Sequence, residues 1–267
     1  MMHHLQDKFA RMGARAKVRD ALETRHGLQP VTRFGVDVLE DRKGPFFELR
    51  VPRGEGLELA VLDVRPELRH LLLMVRQEGR KDKFLCGHDE RHWFTCAVPG
   101  GSVSNVKDAL EALKPAEVRW SETRLALREK ERLRRHNRAY RRQGEWFFVP
   151  QPGLVVSEWM IFRDEPIRRG NGKAHWCEEL YRTRGVLVYV SEQHPRPLTE
   201  QQYERLLERN HKARKWDWRT MVHGANVYVR GRVSHPDHAT IVLHGWHRVL
   251  MNTEGQAPGV RNVLFLD

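Results

Sequence analysis

The sequence predicts an α+β protein: two small β-rich domains joined by a basic helix, with an amphipathic helix in front. Three observations lead there. Short apolar or alternating runs, bounded by Gly and Pro, recur on both sides of the middle of the 267-residue chain. The formal net charge is +12, and nearly all of it falls in two stretches. Residues 8–25 hold six basic side chains against two acidic ones, and residues 119–142 hold ten against three. Both stretches also carry helical spacing, so the charge reads as two helices beside a neutral β body.

In the first helix, within residues 1–30, Leu5, Phe9, Met12 and Ala16 share one face. Lys8, Arg11, Arg15 and Arg19 repeat with the same period as an adjacent basic stripe, and Gly27 and Pro30 end the segment. Residues 31–115 then read as a small antiparallel sheet with one packed helix. Its strands fall at 31–39, 46–51, 57–64, 71–76, 84–86 and 92–98, and Ser104 is placed to cap a helix through Val106, Ala109, Leu110 and Leu113. The connector, residues 116–142, follows Pro115 with only a thin apolar seam of Ala126, Leu133 and Tyr140. So polar a helix buries little of itself: it lies solvated with its Arg side chains paired to nearby Glu, or it touches phosphate. Arg outnumbers Lys nine to one there, which favours phosphate through the guanidinium fork. Residues 143–267 form the second β-rich domain. Strand signals fall at 145–149, 154–162, 185–190, 226–233, 239–243, 245–251 and 263–266. Thr199 with Gln202 makes a capping box for a helix whose apolar face is Leu198, Tyr203, Leu206 and Leu207.

The longest unbroken apolar run, residues 71–75, is far short of a membrane span. Three cysteines, Cys86, Cys96 and Cys177, are too few for a disulfide framework. A cytoplasmic protein without a membrane partner is expected. Neither a Gly-x-Ser-x-Gly elbow, a dinucleotide fingerprint nor a deaminase motif is present, which lowers the odds of the common enzyme classes. The charge favours an anionic partner, and nucleic acid, RNA before DNA, is the first expectation. Its contacts would be Lys8, Arg11, Arg15, Arg19, Arg124, Arg128, Arg132, Arg135, Arg138, Arg142 and Lys173. An intracellular protein-interaction module docking on an acidic protein partner is the bland alternative.

The enzymatic alternative rests on histidines. His235-Pro236-Asp237-His238 is first of all a turn, but a turn that brings two imidazoles close. His175, with Cys177 two residues on, would complete the ligand set of a divalent metal such as Zn²⁺. Such an ion lowers the pKa of its water to about 7 and so makes a nucleophile for a metal-dependent phosphodiesterase or nuclease. Glu178 or Glu179 would be the general base, and Arg142 or Lys173 would stabilise charge on phosphate. A second cluster, Cys86-Gly87-His88-Asp89-Glu90-Arg91-His92 with Cys96, reads as a charged hairpin centred near Asp89, with Cys86 facing His92. Residues 168–173 are a basic glycine loop, a candidate phosphate contact, and Trp216-Asp217-Trp218 beside Lys212, Arg214 and Lys215 suits base stacking or core anchoring.

Arg142-Gln143-Gly144-Glu145-Trp146, the glycine-rich stretch to His175, and His235-Pro236-Asp237-His238 followed by Gly245-Trp246-His247-Arg248-Val249 resemble an uncharacterised group of small prokaryotic β-domain proteins. Those carry Arg-Gln-Gly-Asp, Gly-His-x-His and His-Pro-x-His motifs in the same order. The similarity spans about residues 140–255. It implies a compact β domain and the grouping of His175 with His235 and His238. The chain departs from that pattern in having one His in its central segment and Met251-Asn252-Thr253-Glu254 after the last strand.

Overall fold

The computed structural model of the chain describes residues 2–20, 34–52, 56–169, 172–183 and 185–256, and these are mostly β-sheet. They divide into two compact units, residues 134–251 on the one hand and residues 2–133 with 252–256 on the other. No helix among them is long and apolar enough to cross a membrane.

In the first unit, α1 (Met2–Arg11) buries Leu5 and Phe9, and Met12 follows on the same face. The amphipathic helix expected over 1–30 stops there. Gly13 takes φ +82, a left-handed conformation that ends the helix, and β1 (Ala16–Asp20) begins three residues later. Residues 21–30 lie outside the described residues. β2 (Gly35–Asp41) pairs antiparallel and β1 parallel with β3 (Gly44–Val51), giving the order β1-β3-β2. Phe47 of β3 is fully buried with its ring 5.1 Å from that of Phe9.

A four-stranded meander follows, β4 (Glu58–Arg65), β5 (His70–Gln77), β6 (Arg80–Asp89) and β7 (His92–Ala97). β5 is buried on both faces, as its unbroken apolar run requires. Leu71, Leu73 and Val75 join the core of Phe9 and Phe47, whereas Leu72 packs with Leu85, Val106 and Ala109. The last two belong to α2 (Val106–Ala112), whose cap is Asn105 rather than Ser104: the Asn105 side chain accepts from Asp108 N at 2.9 Å. The β6–β7 turn also lies beyond the expected Asp89 centre. Asp89 pairs with His92 and Cys86 with Thr95, because Glu90 supplies the positive φ (+50) that a two-residue turn needs. Cys86 and Cys96 are buried free thiols. Gly87 is required by its neighbours: a Cβ there would lie 2.5 Å from His70 Cδ2 and 2.9 Å from Phe94 Cε1. Gly87→Ala is expected to cost about 1–3 kcal/mol by overpacking, read as a lower denaturant midpoint with an unchanged slope.

The continuous connector helix is replaced by two short ones, α3 (Ala116–Arg124) and α4 (Glu129–Arg132). Ala126 has φ +49 and Leu127 N donates to Glu122 O, which closes α3. A buried ionic network decides this break. Glu122 is fully buried and accepts from Lys114 Nζ (2.8 Å) and Arg132 Nε (3.3 Å), so the chain must turn back to bring these side chains together.

The second unit opens with β8 (Arg141–Gln143) and β9 (Trp146–Pro150), followed by β10 (Phe162–Ile167) and β11 (His175–Thr183). β12 (Val186–Ser191), β13 (His194–Thr199), α5 (Glu200–Arg209) and β14 (Arg219–His223) come next, and then the long hairpin of β15 (Asn226–His235) and β16 (His238–Met251). Six strands form one antiparallel sheet in the order β10-β11-β15-β16-β9-β8, and β13-β12-β14 form a separate one. Gln202 Oε1 accepts from Thr199 N (3.0 Å) at the start of α5. The inner face of the six-stranded sheet is Trp146, Phe148, Ile167, Cys177, Leu180, Val229, Val233, Leu243 and Val249. Gly245, at φ +79, divides β16 into a first part paired with β15 and a last part paired with both β15 and β9.

Candidate metal centre

Three strand ends meet at one edge of this sheet. His175 is the first residue of β11, His235 the last of β15 and His238 the first of β16. Trp176 pairs with Ser234, and His235 with His238. His175, one residue before Trp176, therefore falls beside His235, and directly paired residues project to the same face. The ring centroids lie 4.1 Å apart for His175–His235, 4.7 Å for His235–His238 and 5.7 Å for His175–His238. One ring nitrogen from each lies within 4.8 Å of the other two. A tetrahedral zinc holds its imidazole nitrogens about 3.4 Å apart, so small side-chain rotations close the set around an ion.

His175 is the anomaly that gives the cluster its meaning. It is 1% exposed, and neither Nδ1 nor Nε2 has a hydrogen-bond partner. A buried imidazole normally satisfies at least one nitrogen, because leaving a polar group dry costs about 1–3 kcal/mol. Burial, with the neighbouring His235 and His238, pushes the His175 pKa down to about 3, and burial and His238 also lower that of His235. Both effects favour neutral imidazole, the form that ligates metal. The His235 ring hydrogen-bonds the Lys173 backbone, an outer-shell contact that fixes a ligand's tautomer. Its Nδ1 accepts from Asp237 N at 3.1 Å, so ligation through that nitrogen would take the place of this bond.

The turn between β8 and β9 covers this cluster. Gln143 is fully buried and its amide donates to Val233 O (3.2 Å) and Ala239 O (2.7 Å), one on each strand of the His235–His238 hairpin. Gly144 follows at φ +57, and a Cβ built on it would stand 2.8 Å from His238 Nε2 and 3.5 Å from His175 Nε2. The missing side chain leaves room beside both nitrogens. Trp146 Nε1 and Gln143 Oε1 are buried without partners as well. Orphaned polar atoms concentrated around one turn fit a bound ion with its own water.

Other residues singled out from sequence lie elsewhere. Cys177 is fully buried in the apolar face, its thiol pushed up to about 12 by burial, and it is outside the ligand group. Glu178 accepts from Arg232 N (2.7 Å), and Glu179 is bonded to Arg230 and lies 3.2 Å from Arg163. Neither joins the histidines. Lys173 reaches both oxygens of Asp237 at 2.8 Å. Among the basic residues, Arg15 pairs with Asp41, Arg19 with Glu48, Arg128 with Glu131, and Arg132 with Glu122 and Glu111. Arg11 is exposed on α1, Lys8 is half-buried, and Arg124 stacks on the exposed Trp120 ring at 4.9 Å. Arg135 and Arg138 lie in the segment leading into β8 and Arg142 within β8, where Arg142 N donates to Arg135 O. His88 and His92 sit on paired strands and form no ligand group among the described residues. Trp218 packs beside Tyr203, itself stacked on Tyr189, and against Trp216, and its Nε1 donates to Ala213 O (2.8 Å), an anchoring arrangement.

Gln143, Gly144 and Trp146 are the site residues that sequence reasoning did not assign a role, although they lie inside the Arg-Gln-Gly-Glu-Trp motif. No family model, no curated protein and no solved structure matches the chain.

Proposed function

We propose that the second unit is a divalent-metal-dependent phosphodiesterase acting on nucleic acid, with His175, His235 and His238 holding the ion. The observation that carries this reading is the buried His175 with two unpartnered ring nitrogens and two further imidazoles within ligand distance. Three imidazoles with no fourth protein ligand among the described residues suit zinc in its catalytic form, where the open position takes water or substrate. The ion would polarise a phosphoryl oxygen and lower the pKa of the attacking water. Phosphate as the substrate class is supported by the +12 net charge and by Lys173 beside the hairpin. Nucleic-acid binding by the exposed cations belongs to the same reading, since they would concentrate a polyanion at the centre.

The test is metal analysis of the full chain after zinc loading, with cleavage of labelled RNA and DNA measured alongside. Wild type is expected to hold about one zinc per chain, and His235→Ala and His238→Ala to hold much less and to lose cleavage. Substoichiometric zinc in the wild type, or cleavage unchanged in both variants, overturns the assignment.

A further inference from the structure

Several of the cations expected to meet phosphate are neutralised within the protein: Arg15, Arg19, Arg128 and Arg132 are ion-paired, and Lys173 holds Asp237. Another set is not. Residues 209–219 hold Arg209, Lys212, Arg214, Lys215 and Arg219 against a single carboxylate, Asp217. All five cations are exposed. Arg219 reaches Asp217 at 3.6 Å, whereas Arg209, Lys212, Arg214 and Lys215 make no ion pair among the described residues.

The backbone fixes how these side chains are presented. Asn210 Oδ1 accepts from Lys212 N (3.1 Å) at the start of a 3₁₀ helix, His211–Lys215, in which Ala213 is fully buried. Trp218 Nε1 donates to the Ala213 carbonyl (2.8 Å), and the Trp218 ring meets Tyr203 of α5 edge-on at 4.9 Å. One side of the short helix is thereby held inward. At three residues per turn, the other two sides carry Lys212 with Lys215, and His211 with Arg214. A rise of about 2.0 Å per residue sets Lys212 and Lys215 about 6 Å apart along the axis, much as successive phosphates stand along one strand. Trp216 follows directly, half-buried, with its ring 5.7 Å from that of Trp218. A row of unpaired cations ending at an aromatic ring is the composition of single-strand sites, where the charges follow the phosphates and the ring takes a base. The exposed residues of this stretch are all polar, so it lacks the apolar face that insertion into a lipid surface requires.

We propose that this corner, Arg209, Lys212, Arg214 and Lys215 with Trp216, is where the protein holds single-stranded nucleic acid. The inference rests on the nucleic-acid part of the proposed function for its ligand class, and it does not depend on the ion.

The experiment measures binding of the full chain, without added metal, to a short fluorescent oligo(U), to oligo(dT) and to a duplex of the same length, across a potassium chloride series. Lys212→Gln/Arg214→Gln/Lys215→Gln is expected to weaken single-strand binding and to reduce the slope of log K against log salt by about 2, at roughly 0.7 for each phosphate no longer met. Arg80→Gln/Lys81→Gln/Arg91→Gln removes the same charge from exposed positions of the first unit and is expected to change that slope by less than half as much. Trp216→Ala is expected to bind about 5–150-fold more weakly with the slope unchanged, the effect of one lost base stack. The first triple variant alters exposed side chains only, so it decides the matter even where Trp216→Ala fails to fold. Equal losses in the two triple variants overturn the proposal, since net charge alone would then explain binding. So does a preference for the duplex, and so does tighter binding to polyglutamate or to anionic phospholipid vesicles than to oligo(U). Wild type that binds no oligonucleotide at low salt instead overturns the nucleic-acid reading itself.

Discussion

Replacing His175 with leucine is expected to move stability and metal affinity in opposite directions. Leucine removes two buried nitrogens that nothing in the metal-free protein satisfies, at similar volume. The metal-free variant should be more stable than wild type by about 1–3 kcal/mol, the desolvation cost of such groups. Zinc affinity should fall by more than the roughly 10–100-fold that follows loss of a mere outer-shell partner. Chemical denaturation with and without zinc reads both: zinc should raise the wild-type midpoint and leave the variant's where it is. A less stable metal-free variant would mean that His175 is held by bonds to the protein after all. The pH dependence follows from the same burial. The His175 pKa is held at about 3 in the folded state against 6.5 when unperturbed. Between those values the unfolded chain binds the proton and the folded one does not, so stability is complete above about 6.5 and declines as pH falls toward 3. His175→Leu should flatten this part of the metal-free profile.

Glu122→Ala should produce the largest loss of stability in the first unit. Its carboxylate is fully buried between Lys114, itself 3% exposed, and Arg132. Without it, Lys114 keeps Glu111 and the Arg132 carbonyl, and Arg132 keeps Glu111, but both lose the carboxylate between them. Breaking a buried ionic network in this way costs about 3–5 kcal/mol. Glu122→Gln, which keeps an acceptor, should cost less. A denaturant midpoint for Glu122→Ala within error of wild type would show the network to be energetically neutral.

This network also marks where the sequence misleads. Residues 119–142 show charges at helical spacing, which reads as a solvated or phosphate-binding helix, yet Glu122 is buried and the chain breaks at Ala126 to pair it with Arg132. Charge density alone does not distinguish an exposed cation from one neutralised in the interior. A similar ambiguity governs the N-terminus. Arg11, Arg15 and Arg19 fit a helix, but Arg15, Lys17 and Arg19 alternate with Ala16 and Val18, which pack against the core, and that period of two belongs to a strand. The strands expected at 57–64, 71–76 and 92–98 lie within a residue of those found, 58–65, 70–77 and 92–97, whereas the expected 154–162 holds only the first residue of β10 and β11 was not expected. The closeness of His235 and His238 was readable, because a two-residue turn requires it. The placing of Gly144 over the histidines was not readable. It depends on β16 dividing at Gly245 and on Gln143 fastening the β8–β9 turn to carbonyls some 90 residues away, and no local pattern encodes contacts of that separation.

After β16 the chain returns to the unit it left. Thr253 N donates to Leu113 O (3.1 Å) and its hydroxyl to Ala112 O (2.6 Å), while Glu254 accepts from Ala97 N (3.0 Å). During synthesis these bonds must wait until residues 134–251 have been made. At roughly 5–20 residues per second, that is a delay of about 6–24 s. Through that interval the nascent first unit leaves the end of α2 and the last residue of β7 without their final partners. The described residues of the second unit, 134–251, are contiguous in sequence and have no such wait. On the ribosome it is the later-made half that can finish folding as soon as it emerges, and the earlier half that is sealed last.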